Sequence, residues 1–569
     1  MMKRLRFIVL IITLFFTGMY ADGQHPLMIP DTMSGTEFYL ELQHGTHSFL
    51  PGTTSATMGA NGSILGPTLF LNKGDSIHLS VKNSIGDTTT IHWHGLHVAP
   101  ENDGGPHTSI APGEVWNPRF RVRDEAATYW YHPHLHHRTN YHVSMGISGL
   151  IIVRDSVEQS LNLPRTYGVD DFPLVLQTKH LDSLHQIDPN SNQDWLPMVN
   201  ATVDPVLEVP SQWVRFRVLN GSSQRSFNLG LSNQGLFYQI ASDAGLLEEP
   251  YPTNRLLLSP GERAELMINF ATMQDSILYL MSYASEIPSG VFGAQNPGMN
   301  PNMALDNYHP NPLNGANFQM LQFQVVESNV QANTELPAFL AAVEPHDPDQ
   351  RDLKRVLEFR PMMMGMNQLN SHFLINNQSF SMDVINYEIP LNNLETWTLR
   401  NNSAMAHPFH VHDVPFYILS RNGAAPPINE RGRKDVVLVY PMEEVEIILH
   451  FITHYNPDIP YMYHCHLLPH EDHGMMGQFI VYKPLSDEPI DAESFSKVFP
   501  NPVQDRLHIE LSDRVGMVEW KLFDSRMLEV MQGASTGAFD LQVGSLSPGV
   551  YALRLEGEGA VQTHLVMVQ

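Results

Sequence analysis

The 569-residue sequence predicts an all-β protein: three consecutive copies of one antiparallel β-sandwich, followed by a smaller fourth sandwich at the C-terminus. Three observations carry this expectation. Prolines (41) and glycines (38) are spread along the chain, which favours short strands and turns over long helices. Apolar residues alternate with polar ones in several stretches, the period-2 pattern of half-buried strands. Ile77, Leu79 and Val81 alternate with Ser76, His78, Ser80 and Lys82; Val214, Phe216 and Val218 with Arg215 and Arg217; Val445, Ile447, Leu449 and Phe451 with Glu444 and Glu446. The third observation is a recurring order. A strand ending in asparagine appears as Val81-Lys82-Asn83, Val218-Leu219-Asn220 and Leu399-Arg400-Asn401. A Pro-x-Glu turn follows each, at Pro112-Gly113-Glu114, Pro260-Gly261-Glu262 and Pro441-Met442-Glu443. A tyrosine-containing strand comes next, at Tyr129-Trp130-Tyr131, Leu278-Tyr279-Leu280 and Tyr461-Met462-Tyr463.

Taken in chain order, residues 1–23 read as a secretory signal. Lys3, Arg4 and Arg6 precede the apolar run Phe7 to Phe16, and Ala21-Asp22-Gly23 offers small residues for cleavage. The run is short for a membrane span, although an uncleaved anchor is the alternative. The first copy is expected over 24–158, the second over 159–335 and the third over 336–486. The composition then changes, and 487–569 carries short strands such as Leu507-His508-Ile509-Glu510-Leu511 and Val518 to Phe523 between Pro/Gly turns. Seven strands of a small sandwich fit there. The formal net charge of −27 argues against nucleic acid, because phosphate binding needs a basic face. It serves solubility, or sets up a field that attracts cations.

The chemistry is concentrated in histidines. His92-x-His94 puts two imidazoles on one face of a strand, about 7 Å apart at ~3.3 Å per residue. His132-Pro133-His134, His410-x-His412 and His464-x-His466 repeat the pair. The first and third copies hold all four pairs; the second has Ser226-Phe227-Asn228 and Leu280-Met281-Ser282 at the comparable places, and reads as a spacer. Eight imidazoles suffice for three copper ions. His407, Cys465, His470 and Met475 remain, a thiolate, imidazole and thioether set suited to a separate blue copper ion. Structural zinc usually takes more thiolates. Cys465 is the only cysteine, so an exported chain would have no internal disulfide. In an extended segment Cys465 points one way, and His464 and His466 the other. One stretch could therefore touch two metal sites.

These motifs resemble those of the multicopper oxidases with three cupredoxin domains. The matching patterns are His-x-His-Gly, His-x-His, His-x-x-His-x-His and His-Cys-His-x3-His-x4-Met, spread over about residues 37 to 482. His92-Trp93-His94-Gly95-Leu96, Asp103-Gly104-Gly105-Pro106 and Ala406-His407-Pro408-Phe409-His410-Val411-His412 look like the bacterial laccase and cuprous oxidase branch. The resemblance implies Greek-key cupredoxin sandwiches and four coppers per chain. Type 1 copper would take His407, Cys465 and His470 with Met475 axial; type 2 copper would take His92 and His410. One type 3 ion would take His94, His132 and His466, the other His134, His412 and His464. The family passes single electrons from a reducing substrate through type 1 copper, along Cys465 and its flanking histidines, to reduce dioxygen to water. Asp103 and Glu471 would relay protons; without the resemblance they read as a turn residue and an acceptor for a ligand. The donor would be a phenol or aromatic amine, or alternatively Cu(I) in copper tolerance. A nitrite reductase would not need the full type 3 histidine set, and a copper-free scaffold would not need the ligands retained.

The tail resembles the C-terminal sorting domain of type IX secretion, through Phe499-Pro500-Asn501-Pro502 and Gly549-Val550-Tyr551, with an Ig-like sandwich as its fold. That implies the type IX machinery as a partner and an extracellular or surface destination after periplasmic transit. An ordinary adhesive or stabilising domain is the alternative. The chain is expected to act as a monomer. His97, His107, His136, His137, His142 and His473 fall outside the pattern and read as surface or supporting residues. Met362, Met363, Met364 and Met366, with Met299 and Met303 in a separate loop, read equally as packing or as soft ligands for Cu(I).

Overall fold

The computed structural model describes residues 25–299, 311–328, 333, 335–363, 372–484, 496–511, 516–524, 528–557 and 560–569. The expected signal segment and Met303, Met364 and Met366 lie outside the described residues. The chain divides into two compact units, Met1–Lys483 and Pro484–Gln569. The composition change at 486 lies three residues beyond that division.

The repeat read from short motifs is a repeat of topology. Each copy in the first unit has two sheets. One sheet contains a parallel pair: Glu37–His47 with Ser76–Asn83, Asp171–Lys179 with Trp213–Asn220, and Leu353–Pro361 with Leu394–Asn401. The other carries the tyrosine strand against a neighbour of opposite direction. Ala127–His132 pairs with His92–His94, Ile277–Tyr283 with Phe227–Leu231, and Asn456–Cys465 with His407–Val411. Parallel neighbours need crossovers, which here carry the chain between layers. The apolar sets predicted from alternation fill the space between sheets, with Ile77, Leu79, Val81, Val445, Ile447 and Leu449 all buried.

Asparagine recurs because it ties a knot. Asn83, Asn220 and Asn401 are buried in all three copies. Their side-chain amides donate to backbone carbonyls: to Ile110 O at 2.8 Å, Leu258 O at 2.9 Å and Val439 O at 3.1 Å. Their own backbone N–H groups donate to Glu114 O, Glu262 O and Glu443 O, the last residue of each Pro-x-Glu turn. The sequence motifs are thus the two ends of one buried hydrogen-bonded closure, and a buried backbone group needs such a partner.

Two details depart from the sequence reading. His25–Pro26 pairs in parallel with Pro205 and Val206, so the first described residues join a sheet of the middle copy rather than the first. The strand Trp213–Asn220 is not half-exposed, since Arg215 and Arg217 are each only 1% exposed. Its second face is buried against the first copy, where Arg215 meets Glu158 and Arg217 meets Thr128.

The second unit is a sandwich of three and four strands. Ser496–Phe499, Arg506–Leu511 and Phe539–Gln542 form one sheet; Glu529–Ser535, Val518–Phe523, Gly549–Gly557 and Ala560–Val568 form the other. Leu507, Ile509, Leu522, Leu553 and Leu555 fill its core.

Candidate metal centre

The cysteine site lies inside the third copy. Antiparallel pairing sets Phe409 opposite Cys465 and His410 opposite His464. Alternation then turns His407, Phe409 and Cys465 to the apolar core and His410 and His464 to the other face. The short helix Leu468–Asp472 returns His470 to the cysteine. Cys465 Sγ lies 3.5 Å from His407 Nδ1 and 3.7 Å from His470 Nδ1. His407 Nε2 is fixed at 2.9 Å by Ser403 Oγ, itself bound to Asn401 of the knot. Met475 is buried in the same core, and its carbonyl accepts from Cys465 N–H at 3.0 Å. Burial pushes the Cys465 thiol up; burial, with the neighbouring His470 imidazole adding to it, holds His407 well below its ordinary value. A thiolate at this depth requires a cation, and the donor set of one thiol, two imidazoles and a nearby thioether fits copper.

The eight paired histidines converge between the first and third copies. They fall into three donor groups: His92, His94 and His410; His94, His132 and His466; and His134, His412 and His464. Within each group the ligand atoms lie within 4.8 Å of one another. Two ring stacks bridge the copies, His92 on His412 and His94 on His410, both with centroids 3.8 Å apart. His134 Nε2 lies 3.0 Å from His464 Nε2 and 3.2 Å from His412 Nε2.

Hydrogen bonds fix which nitrogen each ring offers. His92 Nδ1–H donates to Asp103 O at 2.9 Å, and His410 Nδ1–H to Asp435 O at 2.7 Å. His132 Nδ1–H donates to Pro133 O, and His412 Nδ1–H to Asp103 Oδ2 at 2.7 Å. Each leaves an Nε2 lone pair facing the centre. The Nε2 atoms of His92, His410 and His466 are buried without a protein partner. Burial, reinforced by neighbouring imidazoles, holds His94, His132, His410 and His412 well below their ordinary values. His134 and His466 are lowered to about 3, chiefly by burial. Neutral imidazoles with inward lone pairs are the form in which histidine binds a metal, so the residues fit a cluster of copper ions.

Three carboxylates surround the histidines. Asp103, at the end of the helix Pro100–Asp103, reaches His412 as above and lies 3.3 Å from His92 Nδ1. Glu471 Oε2 lies 3.2 Å from His464 Nδ1, and Oε1 3.4 Å from His134 Nδ1. Burial raises the Glu471 carboxyl, but the His134 and His464 imidazoles prevail and hold it well below the usual range. The third is Asp435, which the sequence reading missed; its Oδ1 accepts from His94 Nε2–H at 3.1 Å.

The middle copy is more than a spacer. Its Arg263 binds both oxygens of Asp435 at 2.5 Å. Its Gly261, at φ +85°, lies so close to His466 that a Cβ there would sit 2.9 Å from the ring. Arg217 binds Asp171 and Glu265, and Glu265 accepts from Thr128 of the first copy at 2.7 Å. Cross-strand register sets Arg217 opposite Glu265, the one signal of a paired rather than solvated face.

The remaining histidines join no donor group among the described residues. His97 Nδ1 meets Asp413, His107 Nε2 meets Gln478, and His142 Nδ1 meets Thr89. The His136 and His137 rings lie against each other at a tilt of 31°, and His473 packs against His372. Met299, Met362 and Met363 are exposed.

Residues 41–158 and 347–484 match multicopper oxidase family profiles, and 497–569 match a secretion system C-terminal sorting domain. The multicopper oxidase mco of Staphylococcus aureus is 32% identical over 479 residues, covering 81% of this chain and 94% of that protein. The cell division protein FtsP of Escherichia coli (strain K12) is 29% identical over 470 residues, 81% of this chain and 93% of its own length. Among solved structures, the laccase-like multi-copper oxidase CueO of a lignin-degrading Ochrobactrum sp. aligns at a TM-score of 0.70 with 33% identity. That alignment covers 80% of this chain and 100% of the other.

Proposed function

The chain belongs to the multicopper oxidase family, a family of copper-binding oxidoreductases, and on that premise we propose that it is an exported laccase-type oxidase holding four coppers. The observation that carries this reading is the convergence of eight buried imidazoles beside the two flanks of Cys465. In it, His407, Cys465, His470 and Met475 would hold type 1 copper, and His92 and His410 would hold type 2 copper. His94, His132 and His466 would hold one type 3 ion; His134, His412 and His464 would hold the other. When bound, copper supplies one-electron oxidation of the reducing substrate at the cysteine site and four-electron reduction of dioxygen to water at the histidine site.

The chain's own residues provide the rest. Cys465 joins the sites through peptide bonds to His464 and His466, so electrons need cross only covalent links. Dioxygen reduction to two waters consumes four protons with its four electrons. Asp103 and Glu471 hold acceptor oxygens against His412, His134 and His464, and serve as the proton relay. The domain limits proposed are 24–158, 159–335, 336–486 and 487–569, and type IX machinery exports the chain through the last, as a monomer.

The Ochrobactrum relative is described as acting on lignin model compounds and lignosulfonate, which favours a phenolic donor here. Exposed Met362 and Met363 favour a second reading, oxidation of Cu(I), since thioethers suit a soft ion. Loading with copper should give a blue protein with about four coppers per chain. Oxygen uptake is then compared on phenols and on Cu(I). Binding of no copper, as in a bare scaffold, or no uptake with any donor, would sink the oxidase reading.

A further inference from the structure

We propose that Arg263 and Asp435 are positioning residues of the histidine site, through which the middle copy decides how His94 meets its metal. The inference rests on the copper reading above. His94 departs from the pattern of its neighbours. His92, His132, His410 and His412 each spend Nδ1 on an acceptor and offer Nε2. His94 donates Nε2–H to Asp435, which leaves Nδ1 as its ligand atom, 3.3 Å from His132 Nε2. His94 also falls in two donor groups, so its orientation settles which ion it serves.

Asp435 controls both rings of one stack. Its carboxylate takes His94, and its backbone carbonyl takes His410, on which His94 lies with planes 10° apart. The carboxylate is held in turn by Arg263, all five of whose N–H donors are used. Nη1 and Nη2 each bind one oxygen of Asp435. The others go to Thr128 O at 3.1 Å, Gly261 O at 3.0 Å and Asp243 O at 2.8 Å. Thr128 belongs to the first copy, Gly261 and Asp243 to the second and Asp435 to the third. One guanidinium therefore joins all three copies at the back of a ligand. Gly95 gives it room: a Cβ there would lie 2.4 Å from Asp435 Oδ2 and 2.8 Å from Arg263 Nη2. Groups that orient a ligating histidine typically change metal affinity 10–100-fold when lost.

The test uses two variants of the full chain that both remove the buried ion pair. Arg263→Met with Asp435→Asn keeps a side-chain carbonyl for His94 Nε2–H; Arg263→Met with Asp435→Leu does not. Copper retained against a graded chelator, the electron paramagnetic resonance of the cluster and the blue absorption are measured for both and for the unaltered protein. The leucine variant should lose histidine-site copper at a chelator concentration about 10–100-fold lower than the asparagine variant, with the blue absorption intact in both. Equal retention and identical cluster spectra in the two would overturn the inference, as would equal loss. Failure of the unaltered protein to load the histidine site would instead sink the copper reading. If the leucine variant does not fold, the single Asp435→Asn protein is compared with the double asparagine variant. A cluster spectrum that shifts when Arg263 is lost supports positioning by the guanidinium, and an unshifted one overturns it.

Discussion

The cysteine site and the histidine site share the three residues His464-Cys465-His466, yet they are held in opposite ways. The cysteine site is made from one copy. Cys465 and Met475 sit in an apolar cluster with Phe359, Phe373 and Phe409, and His407 takes polar support from Ser403. The histidine site is made from two copies and braced by a third, with Asp103, Glu471 and Asp435 behind its rings. An apolar wall leaves a thiol neutral until a metal arrives. A ring of carboxyl and carbonyl acceptors fixes tautomers in advance. One site is shaped by packing, the other by hydrogen bonds, and substitutions should separate them.

The largest effects come from cutting each site alone. Cys465→Ser should abolish the blue absorption and lower turnover at least ~10²-fold, while the histidine site still loads about three coppers. His410→Ala should do the reverse, keeping the blue band and losing cluster copper. If either variant lost both signals, the two sites would not be separable in the way their supports suggest.

Next come the carboxylates. Asp103→Asn and Glu471→Gln should slow dioxygen reduction by about 10²-fold or more, the usual worth of a positioned proton donor. Anaerobic bleaching of the blue band by a donor should keep its rate, because neither carboxylate belongs to the cysteine site. Slowed bleaching with unchanged reoxidation would remove both residues from the proton path.

The sequence displayed the donor residues of both sites and only some of their supports. Spacing of two along a strand is a local property, so His92/His94 and His464/His466 could be paired without knowing the fold. Asp103 and Glu471 stood out through the family resemblance, Asp103 in the Gly-rich loop after the first motif and Glu471 directly after His470. Asp435 and Arg263 did not, since they are 172 positions apart and meet only when three copies close together. Arg215 and Arg217 misled for the same reason: alternation with Val214, Phe216 and Val218 reads as a solvated face, and only the packing of Glu158 and Glu265 buries it. The middle copy looked like a spacer because its contribution is charge pairing and close backbone contact, neither of which carries a motif.

Proton linkage divides the thiol from the imidazoles by sign. In copper-free protein, six histidines of the cluster and His407 have lowered values, with His134 and His466 at about 3. From about pH 6.5 down to 3 the unfolded chain binds protons that the folded chain does not, so stability falls on acidification. The slope is on the order of 1.4 kcal/mol per pH unit for each histidine. Cys465 has the opposite sign. Its raised value means that above about pH 8.5 the unfolded thiol ionises first, and stability falls as pH rises. Urea midpoints of the copper-free protein should therefore fall steeply below pH 6.5, and Cys465→Ser should flatten only the alkaline limb. An acid limb no steeper than one histidine would allow contradicts the closed, neutral cluster described here.

The smallest effects compare one repeat position in two copies. Gly261 and Met442 occupy the centre of the same Pro-x-Glu turn and share a left-handed backbone, with φ +85° and +60°. Gly261 packs against the His466 ring, whereas Met442 is 62% exposed. A methyl at 261 must both adopt that backbone and displace the imidazole, so Gly261→Ala should cost about 1–3 kcal/mol and disturb the cluster spectrum without touching the blue band. At 442 the backbone is the only constraint. Met442→Gly relieves a left-handed residue worth roughly 1–2 kcal/mol, offset by the freedom glycine adds to the unfolded chain, for a net gain under about 1 kcal/mol. Both metal signals should stay as they are. If Met442→Gly altered the cluster as Gly261→Ala does, the difference would belong to the turn itself, and the claim that the middle copy's turn has been recruited as a wall of the histidine site would fall.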